Sequence, residues 1–395
     1  MTTGYAGPLA GVRVLEFAGI GPGPVAAMML ADLGAEVIGL DRPGGAGPFD
    51  LPMLRRGRRS VAIDLKTDGG REVVLDLVGH CDLLIEPYRP GVMERLGLGP
   101  DVCLARNPKL LYGRMTGWGQ SGPLAPYAGH DLTYVAVSGL LSTVGRDTGD
   151  GQVPRPLPVG PYLGDVAGGA LVMVAGLLAG LLEVGRTGVG QVVDGAICDG
   201  AGYLSSFTHA LIQAGSWRGT PGHNLLDSGA PFYDVYECAD GRHLAVGPLE
   251  PQFYAELLRL LGEHAGLELA EDDPRHPRLR DDPRRWPEAK ALWESFFRTR
   301  TRNEWSAFLE HSDACVAPVL GLDEAPGHTH VSARDGFRVV QEGGLPSPAP
   351  APRFDRPIRT PRPPEPAGTS TDSVLTDLGY AADRIAALRA AKAVN

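Results

Sequence analysis

The chain has no overall excess of positive charge. Its 395 residues carry a net charge of −10. Binding a nucleic-acid polyanion needs a basic face, so no nucleic-acid partner is expected, although local basic clusters can still take small anions. Close cysteine pairs are missing as well. Cys81, Cys103, Cys198, Cys238 and Cys315 are scattered, with no histidine at metal-ligand spacing, so neither a disulfide framework nor a metal site is expected and a reducing cytoplasm fits best. The stretch "MTTGYAGPLAGVRVLEF" has no cationic segment followed by an apolar one, and no signal peptide is read there. The segment "VAGGALVMVAGLLAGLL", 166–182, runs 17 residues without a charge, at the lower edge of the roughly 17 to 25 that span a bilayer. Four of its residues are glycine, and Asp165 and Glu183 close its ends. A buried helix is expected there, with no membrane partner.

What is present is an ordinary globular composition, 43% hydrophobic and 21% charged, long enough for two domains with a sizeable core. "GVRVLEFA" reads as a strand, "GIGPGP" as a loop, "VAAMMLADLG" as a helix closed by glycine and "AEVIGLDRP" as a second strand, which makes a βαβ unit. "SVAIDLKTDGG", "REVVLDLVGHC" and "DLLIEPYRPG" repeat the rhythm, and "PKLLYGRMTGWG" adds a strand ending in a glycine-rich loop. The expected fold class is α/β: a large Rossmann-like domain with a parallel sheet, residues 1–224 completed by 335–395, and a smaller α+β domain over 225–334. In the latter a hairpin turns at "ADGR" before an amphipathic helix. The proline-rich stretch 343–368 reads as an extended connector. "STDSVLTDLGYAADRIAALRAAKAV" reads as two short helices.

Several residues carry chemistry, each with a plainer alternative. Gly19 and Gly21 follow a strand and precede Asp41 by the spacing of a dinucleotide fingerprint, but Pro24 stands where the third small residue belongs, so a tight strand-to-helix turn is the better reading. "LRRGRRS", residues 54–60, holds four arginines; such a run is commonly a solvated face, and otherwise a phosphate site built from guanidinium forks. His130 in "GHD" is either a hydrogen-bonded structural histidine or an acid/base group. Asp165 in "GPYLGDVAGGA" sits at the expected N-cap of the apolar helix, where desolvation raises a carboxyl pKa and the helix dipole lowers it. Glu250, between Pro248 and Pro251, is either a capping acid or a functional one.

Seven blocks in order, from "GPLAGVRVLEFAGIGPGPVAAMMLADLGAEVIGLDRPGG" through "RMTGWGQSGPLAPYAGHDLTYVAVSG", "GDVAGG" and "GQVVDGAICDG" to "GAPFYDVYECADGRHLAVGPLEPQFY", resemble alpha-methylacyl-CoA racemases within the wider family III of CoA-transferases. The resemblance runs along nearly the whole chain. It implies an interlocked homodimer whose active sites form between the large domain of one subunit and the small domain of the other. It also implies inversion at the carbon alpha to a CoA thioester, by removing a proton from one face and returning one to the other. Carried over by motif, His130 and Asp165 match the two acid/base residues and Glu250 the acid that supports the histidine. The CoA contacts match Arg42, the run Ile63, Asp64, Leu65 and Lys66, then Pro87, Tyr88 and Arg89, Arg95, and Gly129, Asp131, Leu132, Thr133 and Tyr134. No further cofactor is implied, since CoA is part of the acyl-CoA substrate.

The chemistry is coherent: one neutral acceptor and one protonated donor on opposite faces suit imidazole paired with a carboxylic acid. The enolate needs a donor at its oxygen, for which the amides of "GDVAGG" are the candidate. The sequence departs from such racemases in a longer 147–162 loop and in Pro161, where they tend to carry asparagine; the acyl group is left open. The competing reading within the family is CoA transfer between carboxylic acids, with Asp165 attacking the thioester to form an anhydride. Transferases generally lack the "GHD" histidine. A non-catalytic CoA-binding protein is the third reading, and the intact His130, Asp165 and Glu250 set speaks against it.

Overall fold

A computed structural model describes residues 6–45, 51–147, 152–339 and 344–395. Six strands, β1 (Arg13–Phe17), β2 (Glu36–Asp41), β3 (Arg58–Ala62), β4 (Leu83–Glu86), β5 (Leu111–Thr116) and β6 (Gln191–Ala196), form one sheet in the order β3-β2-β1-β4-β5-β6. Every pairing in it is parallel. Strands of such a sheet are covered on both faces, which is why they read as continuous apolar runs. Alternation along each strand sends neighbours to opposite cores. Val14 and Leu83 pack with Ala26, Leu30, Met173 and Leu177 on one face; Leu15 and Leu84 pack with Val73, Leu77, Val374 and Leu388 on the other. Strand order reverses between β1 and β4, so the loops leaving their C-terminal ends diverge and open a crevice, the usual ligand position in doubly wound sheets.

The C-terminal segment runs back along β3. The Gly57 amide donates to the Arg362 carbonyl, the Ser60 amide to Glu365 Oε1, and the Asn395 amide to the Ala62 carbonyl. The two short helices form at Thr371–Asp377 and Ala382–Ala390.

The division of the chain differs from the expected one. One compact unit comprises 1–138, 159–205 and 329–395; the other comprises 139–158 and 206–328. Residues 139–158 and 206–224, assigned above to the large domain, thus belong to the second unit, and 329–334 to the first. Side chains explain the transfer of 139–158. Arg146 pairs with the buried Asp234 at 2.9 Å, and Gly145 and Gly222 leave room for Pro221 and for the Asp147 backbone. Such pairings between distant positions leave no periodic trace in a sequence. The second unit carries the antiparallel strands β7 (Asp234–Glu237), β8 (His243–Val246) and β9 (Val316–Pro318). An aromatic core including Tyr236, Trp293, Phe297 and Trp305 packs in the same unit.

The apolar helix is continuous over 160–187 and is long and apolar enough by length and composition to cross a membrane, yet only 39% of its most apolar window is buried. The buried helix expected there is buried only in part: Leu171 is 46% and Leu182 73% exposed.

Candidate active site

The loops after β1, β4 and β5 meet around a cavity of about 330 Å3 at the sheet's C-terminal edge. Its walls include Gly21 and Pro22 after β1, Pro87 and Arg89 after β4, and Trp118 after β5. His130, Asp131, Tyr134 and Asp165 complete it.

His130 precedes the helix Asp131–Val137 with extended backbone angles and is exposed. Its amide donates to Thr133 Oγ1 at 3.0 Å, and the Thr133 hydroxyl donates back to the His130 carbonyl at 2.8 Å. This clamp fixes the backbone under the imidazole, and the ring stands at the cavity wall. Tyr134, one turn on, meets Trp118 edge-to-face at 4.7 Å. Its ring lies where a Cβ on Gly117 or Gly129 would be, which is the physical reason glycine flanks "HD".

Asp165 is not the N-cap of the apolar helix. It lies inside a π-helical stretch, Leu163–Leu171, whose N-cap is Tyr162. The helix begins earlier because the Asp165 amide, which in a first turn has no intrahelical acceptor, donates to Asp131 Oδ1 at 2.7 Å. π-Helical insertions of this kind recur at functional sites. The wide turn also explains the glycines of "GDVAGG". Cβ atoms at Gly168 and Gly169 would meet the Ala201 backbone at 2.6 Å and Pro22 at 2.9 Å, so these glycines serve close packing. The expected donation of that turn's amides to an enolate is accordingly lost at Asp165, whose N–H is taken. Gly21, with φ +70°, faces the carboxylate: a Cβ there would stand 2.6 Å from Asp165 Oδ2. The Asp165 carboxyl is pushed up to about 6, first by burial and then by the charge of Asp131, with His130 opposing. At pH 7 about a tenth of the molecules keep that proton, against about one in a thousand for an ordinary carboxyl. The site holds an available acid.

The residues matched to CoA contacts are spread more widely. Pro87, Arg89, Gly129, Asp131 and Tyr134 line the cavity with His130 and Asp165, whereas Arg42 lines a neighbouring one of about 320 Å3. Arg42 is exposed, and its charge opposes the burial that raises the Tyr88 hydroxyl pKa. Arg89, Arg95 and Lys66 are exposed, as is Leu132. Asp64 turns the chain after β3, its carboxylate accepting the Lys66 amide at 2.9 Å, and Leu65 packs on the core. Ile63 is 2% exposed, so its side chain is a core element and only backbone is left for a ligand. Glu250 belongs to the second unit, exposed at the N-cap of Pro251–Ala265, and its side chain does not cap that helix.

The arginine run 54–60 is neither a solvated face nor a phosphate platform. Arg55 pairs with Asp41 at 2.5 Å, Arg56 with Asp32 at 2.6 Å, Arg58 with Glu16, and Arg59 with Glu36 at 2.9 Å. Asp41 also accepts from the Ser60 hydroxyl, which commits the acid that a ribose would need and removes the dinucleotide reading. What sequence reasoning missed is the cradle around Asp165, formed by Gly21, Gly164 and the Asp131 carboxylate. The only trace of it was the glycine directly before the aspartate.

A family model described as CoA-transferase family III matches residues 9–371. The chain is 43% identical to the alpha-methylacyl-CoA racemase of Mus musculus, covering 98% of this chain and 97% of that protein. It is 40% identical to the human alpha-methylacyl-CoA racemase over the same shares. A CAIB/BAIF family protein from Brucella suis superposes with a TM-score of 0.79 at 25% identity, covering 94% of this chain and 99% of that one.

Proposed function

We propose, for a chain that belongs to CoA-transferase family III, that it is an isomerase inverting the alpha carbon of 2-methylacyl-CoA thioesters. The observation that carries this reading is an imidazole and a raised-pKa carboxyl in the walls of one cavity. One group removes the alpha proton, the thioester carbonyl takes up the charge as an enolate, and the other group returns a proton to the opposite face; the reverse turnover exchanges their roles. In the first turn of the helix Asp131–Val137 the amides of Asp131 and Leu132 have no intrahelical acceptor, which makes them the candidate donors to the enolate oxygen.

On this reading Arg42, Arg89, Arg95 and Lys66 meet the phosphates of CoA, guanidinium groups doing so bidentately. Pro87, Tyr88 and the Ile63–Leu65 backbone border the nucleotide, and Gly129, Leu132, Thr133 and Tyr134 shape the approach to the thioester. Glu250 supports the histidine of a partner subunit in an interlocked homodimer. Support for the dimer comes from the apolar surface each chain leaves uncovered, including Leu182 and Tyr203, 73% and 75% exposed.

The test is one enantiomer of a 2-methylacyl-CoA in deuterated water. Alpha-deuterium incorporation accompanied by racemisation is expected. Transfer of CoA to an added acid without exchange would replace the racemase by an Asp165 anhydride mechanism, and CoA binding with neither reaction would leave a binding protein. The same preparation should sediment at twice the chain mass of 41.7 kDa; a monomer of full activity would remove the dimer from the scheme.

A further inference from the structure

We infer that Asp131 is a positioning residue that sets the spacing between the two proton-transfer groups, and not a ligand of CoA. The inference rests on the racemase reading for its consequence and on geometry for its substance. Asp131 follows His130 directly and opens the helix that His130 precedes. Its Oδ1 accepts the Asp165 amide at 2.7 Å, across 34 residues of sequence. One hydrogen bond therefore joins the backbone carrying the imidazole to the backbone carrying the carboxyl. It is a charge-assisted bond to an amide with no acceptor of its own, the stronger class of hydrogen bond.

The surroundings are built around this contact. A Cβ on Gly164 would stand 2.3 Å from Asp131 Oδ1 and 3.0 Å from Val135 Cγ2, so only glycine lets the carboxylate reach the amide of the next residue. The carboxylate is turned toward the π-helical stretch, and a second negative charge is a poor partner for CoA phosphates. Its charge also raises the proton affinity of Asp165, a contribution in the same direction as the positioning.

The variants Asp131→Asn, Asp131→Ala and Gly164→Ala separate the possibilities. Asparagine keeps an oxygen that accepts the amide, and alanine does not. Misplacing a reacting group by about 1 Å costs up to about 100-fold. Asp131→Ala and Gly164→Ala are therefore expected to lower kcat by about 10- to 100-fold with KM for the acyl-CoA held within about twofold, and Asp131→Asn to recover kcat to within about threefold of the parent. Amide hydrogen exchange in peptides spanning 163–166 supplies a readout that needs no turnover: protection falls in Asp131→Ala and persists in Asp131→Asn. A KM raised tenfold at unchanged kcat would make Asp131 a CoA ligand and overturn the inference. So would unchanged protection in Asp131→Ala, or an asparagine variant as impaired as alanine. If the parent chain exchanges no alpha proton, the racemase reading fails, while amide protection and CoA affinity still decide where Asp131 acts.

Discussion

Asp165→Ala and His130→Ala are each expected to lower alpha-proton inversion by between about 100- and 10,000-fold, the range that a positioned acid or base contributes. Either change removes one face of the reaction: the enolate forms without a donor opposite, or the alpha proton meets no acceptor. CoA thioester affinity should remain near the parent value, because the cations that face solvent lie on other loops, Arg42 after β2 and Arg89 after β4. Isothermal titration with a non-reacting thioester and polarimetric progress curves measure the two quantities separately. Inversion at the parent rate in either variant would remove the two-base scheme. The supply of protons can be followed directly. With 13C-labelled aspartate, the Asp165 carboxyl should titrate near pH 6, its protonated share falling about tenfold for each pH unit above that value. A midpoint near the usual carboxylate value of about 3.9 would show that burial and Asp131 do not act on it as described.

Arg58→Ala is expected to destabilise the first unit by about 3 to 5 kcal/mol, the cost of removing one partner from a buried ion pair. Arg58 and Glu16 side chains are 4% and 6% exposed. Glu16 lies in β1, an inner strand of the sheet, and Arg58 also donates to the Pro24 carbonyl at 2.6 Å. Loss of the guanidinium leaves a largely buried carboxylate without its paired counter-charge. The paired replacement Arg58→Met with Glu16→Leu should recover most of the loss, since apolar groups of similar volume commonly substitute for such a pair at little cost. Urea unfolding measures both. A loss under about 1 kcal/mol for Arg58→Ala, the range of an exposed pair, would mean that solvent reaches Glu16. By contrast Arg42→Ala, at an exposed position, should leave the unfolding midpoint in place.

The strands and helices of the sheet domain were legible because their periods are local. Leu15 and Val14 announce opposite faces within two residues, and Gly34 closes the helix from Pro22 within the same short stretch. The arginine run was opaque for the opposite reason. Its carboxylate partners, Glu16, Asp32, Glu36, Asp41 and Asp377, come from β1, β2, the helix between them and the helix Thr371–Asp377, and only the sheet's register and the returning C-terminal segment bring them beside β3. His130 and Asp165 were found through the resemblance and their glycine neighbours. The helix around Asp165 was misjudged because a cap was assumed to come from the residue itself, whereas the acceptor is supplied by Asp131. The place of 139–158 in the second unit escaped because Arg146 and Asp234 are ordinary surface letters until folding pairs them within that unit.

The way residues 362–395 lie along β3 bears on how the chain is made. Ser60 on β3 is bonded to Glu365, 305 residues away, so during synthesis from the N-terminus the strands β1 to β5 emerge long before their cover. Until the last segment arrives, β3 is an open edge of the sheet, able to pair with any other extended chain. Loop closure over such a separation is slow compared with forming the first βαβ unit. A chain synthesised only as far as β6 would therefore expose β3 as an unsealed edge until residues 362–395 pair with it.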